Sequence, residues 1–358
     1  MALSPQQRRV VAERLRSQLL SGPRAGDPLE VVRRLLAVQG QDQRGARLAI
    51  RARSTVASAA EVGAALSEER SLLITWLNRG TLHLVASEDY WWLHALTAPT
   101  LLTASARRLA QEGVTPAATQ RGVAAIERAL AEEGPLDRAQ LRERIDRVGV
   151  RTEGQALVHL LLAASLDGVA VRGPMVGADH CYVHVADWLG TCPAVDRERA
   201  LAELARRYLA GHAPADARDL ARWAGLPLRD ARAGLEAIAR ELHEREDGLL
   251  ELTLRAGAPA GSPARLPAPQ LLGAFDPVLL GWRSREPLLG TNRTIVTVNG
   301  IFRPFALVRG RAAATWGIAA GKLALKPFAA IEPADERALL ADGEQVLAYL
   351  GLGRKRSH

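Results

Sequence analysis

Cysteine and lysine are nearly absent from this chain: 358 residues hold two cysteines, Cys181 and Cys192, and three lysines, Lys322, Lys326 and Lys355. Two thiols are too few for a disulfide framework or a structural zinc site. No run of some eighteen apolar residues occurs, which argues against a helical membrane span. The opening Met1-Ala2-Leu3-Ser4-Pro5-Gln6-Gln7-Arg8-Arg9 carries no apolar signal core, so a cytoplasmic protein is expected. Neither a Gly-x-Gly-x-x-Gly nor a Walker-type loop is present.

What remains is a soluble globular composition, 48% apolar and 24% charged, long enough for two to four compact units. Lys and Arg together number 47 against 39 acidic residues, a net charge of +8 carried almost wholly by arginine. The guanidinium fork suits phosphate and base edges alike. Codon bias in a GC-rich genome, which the many alanines also suggest, explains arginine over lysine equally well. Such bias does not require an excess of positive charge, and that excess points to a polyanionic partner.

Three consecutive stretches share one plan, helices followed by a strand or strand pair. In the middle copy a helical period covers Gln120 to Glu133 and breaks at Gly134-Pro135. Helices from Asp137 to Arg147 and from Glu153 to Leu166 follow, then strands Val169–Arg172 and Cys181–Val185. Three helices and a two-stranded wing in about seventy residues make the winged variant of the helix-turn-helix. A third copy runs from Arg197 to Leu254, with Asp216 capping its short second helix and Leu249–Leu254 as its strand. The first is less regular. Asp27-Pro28 opens a helix through about Val38, Ser58-Ala59-Ala60-Glu61 is a capping box, and Thr81–Val85 alternates like a strand. Ser87 opens a further helix carrying Trp91 and Trp92, one of which is free to stack on a base or another domain.

Ala, Gly and Pro dominate Arg255 to Gln270, a linker. Short strands follow: Ile295–Val298 before the turn Asn299-Gly300, then Phe305–Val308 joined through Arg309-Gly310 to Arg311–Trp316. A closing helix from Pro333 to Leu350 precedes the basic tail Arg354-Lys355-Arg356. The expected class is α+β, mainly helical: three tandem winged-helix units and a small β-rich C-terminal domain. The expected boundaries are 1–98, 99–190, 191–256, a linker at 257–270, and 271–358.

Two glutamines bracket a glycine at Gln39-Gly40-Gln41, where an apolar helix is about to break. On a continuous helix, residues two apart point away from each other; in an extended segment they share a side. Gly40 tolerates the angles that end a helix, so both amides could then hold a water or a sugar oxygen. Amides do not titrate and cannot act as general bases. A reaction they serve therefore needs a leaving group already activated, such as a cationic N7-alkylated guanine. The protein would position water and stabilise an oxocarbenium-like sugar by preorganised dipoles. Asp42 has two roles open, polarising that water or capping the next helix. The plain alternative is that both glutamines satisfy backbone groups at a helix end.

Four segments together resemble one family: Leu35–Ala49 (LLAVQGQDQRGARLA), Trp76–Val85 (WLNRGTLHLV), Phe275–Trp282 (FDPVLLGW) and Gly300–Pro304 (GIFRP). It is the winged-helix family of the bacterial DNA glycosylases AlkZ and YcaQ, and the similarity spans nearly the whole chain in order. The resemblance implies tandem winged helices with a β-rich C-terminal domain. It also implies the glutamine-x-glutamine form of the catalytic motif, with Gln39 and Gln41 as catalytic residues. Gly40 departs from the bulkier aliphatic or aromatic residue usual between them. The implied activity is monofunctional excision of N7-alkylguanines, including bulky or crosslinked adducts from genotoxic natural products, without a cofactor. A solvent-open site suits such adducts, and no aromatic cluster flanks the motif.

Candidate DNA contacts are Arg44, Arg79, Thr81, His83, Arg303, Arg309 and Arg311. His83 would reach phosphate from a strand, or simply face solvent. Arg303 and the Arg309-Gly310-Arg311 tip would enter a groove or bind backbone, or be ordinary turn arginines. The helix with Gln155 and His159 is too apolar for a major-groove reader. His180, Cys181 and His184 do not share a strand face, which argues against metal. The expected partner is damaged double-stranded DNA, bound by a monomer associated with the nucleoid. Two other classes stay open: a non-catalytic regulator, which would select one sequence from random duplex, and a protein-docking scaffold, against which the charge argues.

Overall fold

A computed structural model describes residues 3–176, 179–253 and 265–353. The basic tail and most of the expected linker lie outside the described residues. Contacts divide the chain into two compact units. One comprises residues 1–62, 202–223 and 227–358; the other comprises 63–201 and 224–226. Among the described residues no helix is long and apolar enough to cross a membrane.

Local signals set most elements of the first unit. Ser4 and Gln7 form a reciprocal capping box at the start of helix Pro5–Ser17. Asp27 accepts from the Glu30 amide at 2.7 Å and Pro28 opens helix Pro28–Leu35, which buries Val31, Val32 and Leu35. Helix Gln43–Arg53 follows. Arg14 ties the first helix to the chain two hundred residues later: its Nε donates to the Pro214 carbonyl at 2.9 Å, it pairs with Asp219 at 3.2 Å, and its guanidinium lies over Trp282. In that later stretch run helices Arg197–His212, Ala217–Ala224 and Leu228–Ala237, followed by antiparallel strands Leu242–Glu244 and Leu250–Leu252. The sequence reading had only the second of these strands. The first is three residues long, two of them polar, too short for alternation to register.

The C-terminal sheet of this unit has four antiparallel strands, ordered Lys322–Pro327, Arg311–Ala319, Phe305–Val308, Gln270–Leu272. Helix Pro333–Tyr349 packs beside it. Two expectations need correction here. Gln270, assigned to the linker, begins a fully buried strand, because three residues gain their ladder from Phe305–Leu307 rather than from any pattern of their own. Ile295–Val298 is not a strand; a single bridge, Val296 to Phe302, holds the hairpin around Asn299-Gly300.

In the second unit, strand Leu72–Leu77 lies between Thr81–Ala86 and Ala170–Val176, and Asp179–His184 pairs with the last of these. Helices Tyr90–Gln111, Pro116–Glu133, Arg138–Arg147 and Ala156–Leu166 complete it. Asp137 and Gln140 form the capping box that starts the third of these. Helix Ala156–Leu166 buries eight of its eleven residues, so it is a core helix on nearly every face.

Candidate functional site around Gln39 and Gln41

Helix Pro28–Leu35 stops three residues short of Val38, the expected end. The stop is made by Leu36, not by Gly40: Leu36 is fully buried with φ 64° and ψ −41°, close to the rare γ-turn conformation. A non-glycine residue in that region costs about 1–3 kcal/mol and persists only when surrounding packing imposes it. The reversal throws the chain into extended backbone at Val38–Gln39, so the two glutamines do lie off the helix.

The two amides meet different surroundings. Leu35 through Gly40 are all buried, whereas Gln41 is exposed. Gln39 is only 6% exposed and its Oε1 has no hydrogen-bond partner among the described residues. A buried acceptor without a partner costs about 1–3 kcal/mol, and Gln39 shares this state with other buried side chains, among them Thr75, Asn78 and Tyr90. Asp42 caps helix Gln43–Arg53, accepting from the Gly45 amide at 2.5 Å. Its expected capping role is thus present, with one carboxylate oxygen committed to it.

That helix is held firmly along its length. A Cβ on Gly45 would stand 2.2 Å from the Ala274 carbonyl oxygen, so only glycine permits this approach. Tyr349 donates to the Arg47 carbonyl at 2.9 Å. Arg51 pairs with Asp342, whose carboxylate also accepts from the Leu271 amide at 2.7 Å. At the far end Arg53 is wholly buried. Its guanidinium donates to both oxygens of Asp276, at 2.7 and 2.9 Å, and to Gln18 Oε1 at 2.9 Å. Asp276 in turn accepts from the Val278 amide at 3.0 Å. Next along, Trp282 donates to the His212 carbonyl at 2.9 Å and Tyr208 to the Gly281 carbonyl at 2.8 Å. Burial lowers the pKa of His212 to about 3, with the charges of nearby arginines adding to the effect, so the ring is neutral. Sequence reasoning missed the anchoring role of Asp276, Arg53 and Gln18, since no local spacing relates residues 18, 53 and 276.

The other candidates fall in separate places. Arg44 is exposed on the first turn of helix Gln43–Arg53. Arg79, Thr81 and His83 belong to the hairpin Leu72–Leu77/Thr81–Ala86 of the second unit, whose turn carries Asn78 and Gly80 at positive φ. His83 does not face solvent: it is 3% exposed, and its Nδ1 lies 2.8 Å from the Thr81 carbonyl. Burial, then the charge of Arg79, lowers its pKa to about 3, so any phosphate contact would be made by a neutral ring. Alternation misled here because both faces of the strand are covered. Arg303 is exposed, Arg309 pairs with Asp335 at 3.0 Å on the first unit's surface, and Arg311 begins the long central strand.

The family model "DNA glycosylase AlkZ-like" matches residues 32–349, a span that includes both glutamines and the Arg53–Asp276 anchor. The chain belongs to the AlkZ-like DNA glycosylase family. Members are hydrolases of N-glycosyl bonds in DNA. A relative from Streptomyces sahachiroi, described as an interstrand DNA cross-link repair glycosylase, is 27% identical, with 97% of each chain covered. The solved structure of the Streptomyces sahachiroi DNA glycosylase AlkZ superposes with a TM-score of 0.80 at 25% identity, covering 99% of this chain and 98% of that one. The mixed helical and sheet architecture of this AlkZ-like chain is therefore that of the solved AlkZ chain over nearly its whole span.

Proposed function

We propose that this chain hydrolyses the N-glycosidic bond of N7-alkylated guanines in double-stranded DNA, bulky adducts and interstrand crosslinks included, with Gln39 and Gln41 as its catalytic residues. The observation that carries this reading is the buried, unpartnered Oε1 of Gln39 beside the strained turn at Leu36. An acceptor kept dry and free is preorganised to take an O–H from one water and fix its lone pair on a target.

The chemistry needs no base. The C1′–N9 bond breaks with its electron pair going to the guanine, which cancels the positive charge that N7-alkylation placed there. The sugar becomes oxocarbenium-like, the held water forms the new C1′–O bond, and its proton passes to solvent. Gln39 orients the water and Gln41, at the surface, meets the sugar edge. An exposed Gln41 suits a site that admits adducts too large for a closed pocket. The two triples of helices followed by strand pairs, Pro116–His184 and Arg197–Leu252, support winged-helix units that bind duplex through arginine–phosphate contacts. The protein would act as a monomer near the nucleoid, in general repair or self-resistance to a genotoxin.

The test is base release from duplex carrying N7-methylguanine, comparing wild type with Gln39→Ala and Gln41→Ala. Release by wild type alone, with DNA binding retained by the variants, is expected. Equal release by all three would remove the glutamines from the mechanism, and selection of one sequence from random duplex would favour a regulator.

A further inference from the structure

The segment after Trp282 carries a concentration of cations that the glutamine site does not use. Arg283, Arg285 and Arg293 line a cleft of about 530 Å³, with Thr291 and Asn292 between them and Glu286 as its one lining carboxylate. Arg283 is half exposed and makes only long pairs, 3.4 Å to Asp216 and 3.6 Å to Asp219. Arg285 donates through Nε to the Leu279 carbonyl at 2.6 Å and lies over the Phe302 ring, so its position is fixed while its charge has no carboxylate partner among the described residues. Burial lowers its pKa and the nearby charge of Arg222 adds to this, though a guanidinium stays cationic. Arg293 is exposed on the turn that Asn292 organises by accepting from Thr294 at 2.8 Å. The wall at Gly290 is backed by a fourth guanidinium: a Cβ there would sit 2.2 Å from Arg311 Nη2.

The same cleft is bounded by Val296, which starts the small hairpin closed by the Val296–Phe302 bridge. Its tip is apolar and bare. Val298 is 105% exposed and Ile301 54%, flanking Asn299-Gly300. A concave polar surface with cations in excess suits a chain of phosphates. An exposed apolar tip beside it suits a groove, where such side chains contact base edges or wedge between steps.

We propose that the cleft of Arg283, Arg285 and Arg293, together with the Val298 tip, is a DNA-contact site that takes backbone phosphates of the duplex and sets the hairpin in its groove. The proposal rests on the DNA glycosylase reading above. Phosphates here position the enzyme on any sequence, as a lesion-directed protein requires.

The experiment is binding of an undamaged duplex by the full chain, followed by fluorescence anisotropy across a salt series. Wild type is compared with Arg283→Gln, Arg293→Gln, their double variant and Val298→Ser, with melting temperature as the fold control; Arg285 is left intact because it holds the loop. Each arginine removed should flatten the log–log salt dependence by about 0.9 and weaken binding alike on all sequences. Val298→Ser, which removes the apolar tip without changing charge, should weaken binding with no such flattening. Unchanged affinity and slope in the double variant would overturn the proposal while leaving base release by wild type intact. Loss of an inorganic-phosphate effect on melting, with duplex affinity unchanged, would mark a free-anion site and also overturn it. A wild type that binds no duplex would sink this proposal and the functional reading together.

Discussion

Two polar side chains are deeply buried on either side of helix Gln43–Arg53, Gln39 before it and Arg53 at its last turn, and they are paired very differently. At its C-terminus Arg53, Asp276 and Gln18 are buried and hydrogen-bonded to one another, and Asp276 also caps the next turn. Just before its N-terminus Gln39 is almost as deeply buried, yet its carboxamide oxygen has no partner. Burying polar groups is costly in both places; Arg53 offsets most of that cost through Nη1 and Nη2, with only its Nε lacking a partner among the described residues, whereas the Gln39 oxygen has none. The Arg53 cluster fixes three distant stretches of chain, and the proposed catalytic role gives the unpaired Gln39 oxygen its use.

That contrast is broken most forcefully at Arg53. Asp276→Ala leaves a buried guanidinium uncompensated, and unfolding by denaturant should show a loss of about 3–5 kcal/mol. Replacing both partners, Arg53→Met with Asp276→Leu, should recover much of that loss; an equally large loss in the double variant would mean the pair was not the cause. At Gln39 the signs should separate. Gln39→Met is expected to lower base release by about 10²–10³-fold, comparable to removing an oriented donor elsewhere. Its melting temperature should hold or rise, since the substitution deletes an unsatisfied buried acceptor. A fall in stability matching the fall in rate would make Gln39 scaffold after all.

Acid should weaken the fold through its buried neutral histidines. His212 and His83 have folded pKa values of about 3, below the unfolded value near 6.5. Between those values the unfolded chain binds more protons. Their contribution is therefore complete above pH 6.5 and lost as pH falls, at up to about 1.4 kcal/mol per pH unit for each histidine. His212→Gln should flatten the stability–pH profile measured by thermal melting between pH 6.5 and 4. The smallest expected effect is at the cap: Asp42→Ala should cost about 0.5–2 kcal/mol in a denaturant titration. A rate loss far beyond that figure would give Asp42 a part in the chemistry as well.

Much was legible without coordinates. Ser4, Asp27, Ser58 and Asp137 mark helix starts because a cap is a local bargain between neighbouring residues. The hairpin at Arg309-Gly310 follows from its turn residues in the same way, with Arg309 at φ 51° and Gly310 at φ 77°. Short strands such as Leu242–Glu244 and Gln270–Leu272 were not legible, since their partners, not their own patterns, make them strands. The end of helix Pro28–Leu35 was misplaced for a related reason. Glycine advertises a break at Gly40, whereas Leu36 is forced into one by the packing around it.

By itself the sequence determined the charge, the caps and the pair of glutamines, whose amides cannot act as bases. These rest on composition, on contacts within four residues and on the fixed chemistry of an amide. Only the tertiary structure decided that Gln39 is buried with a free acceptor while Gln41 meets solvent, that His83 is a neutral core residue, and that Arg53 finds Asp276. Burial and pairing are set by neighbours hundreds of positions away, and no spacing along the chain carries that information.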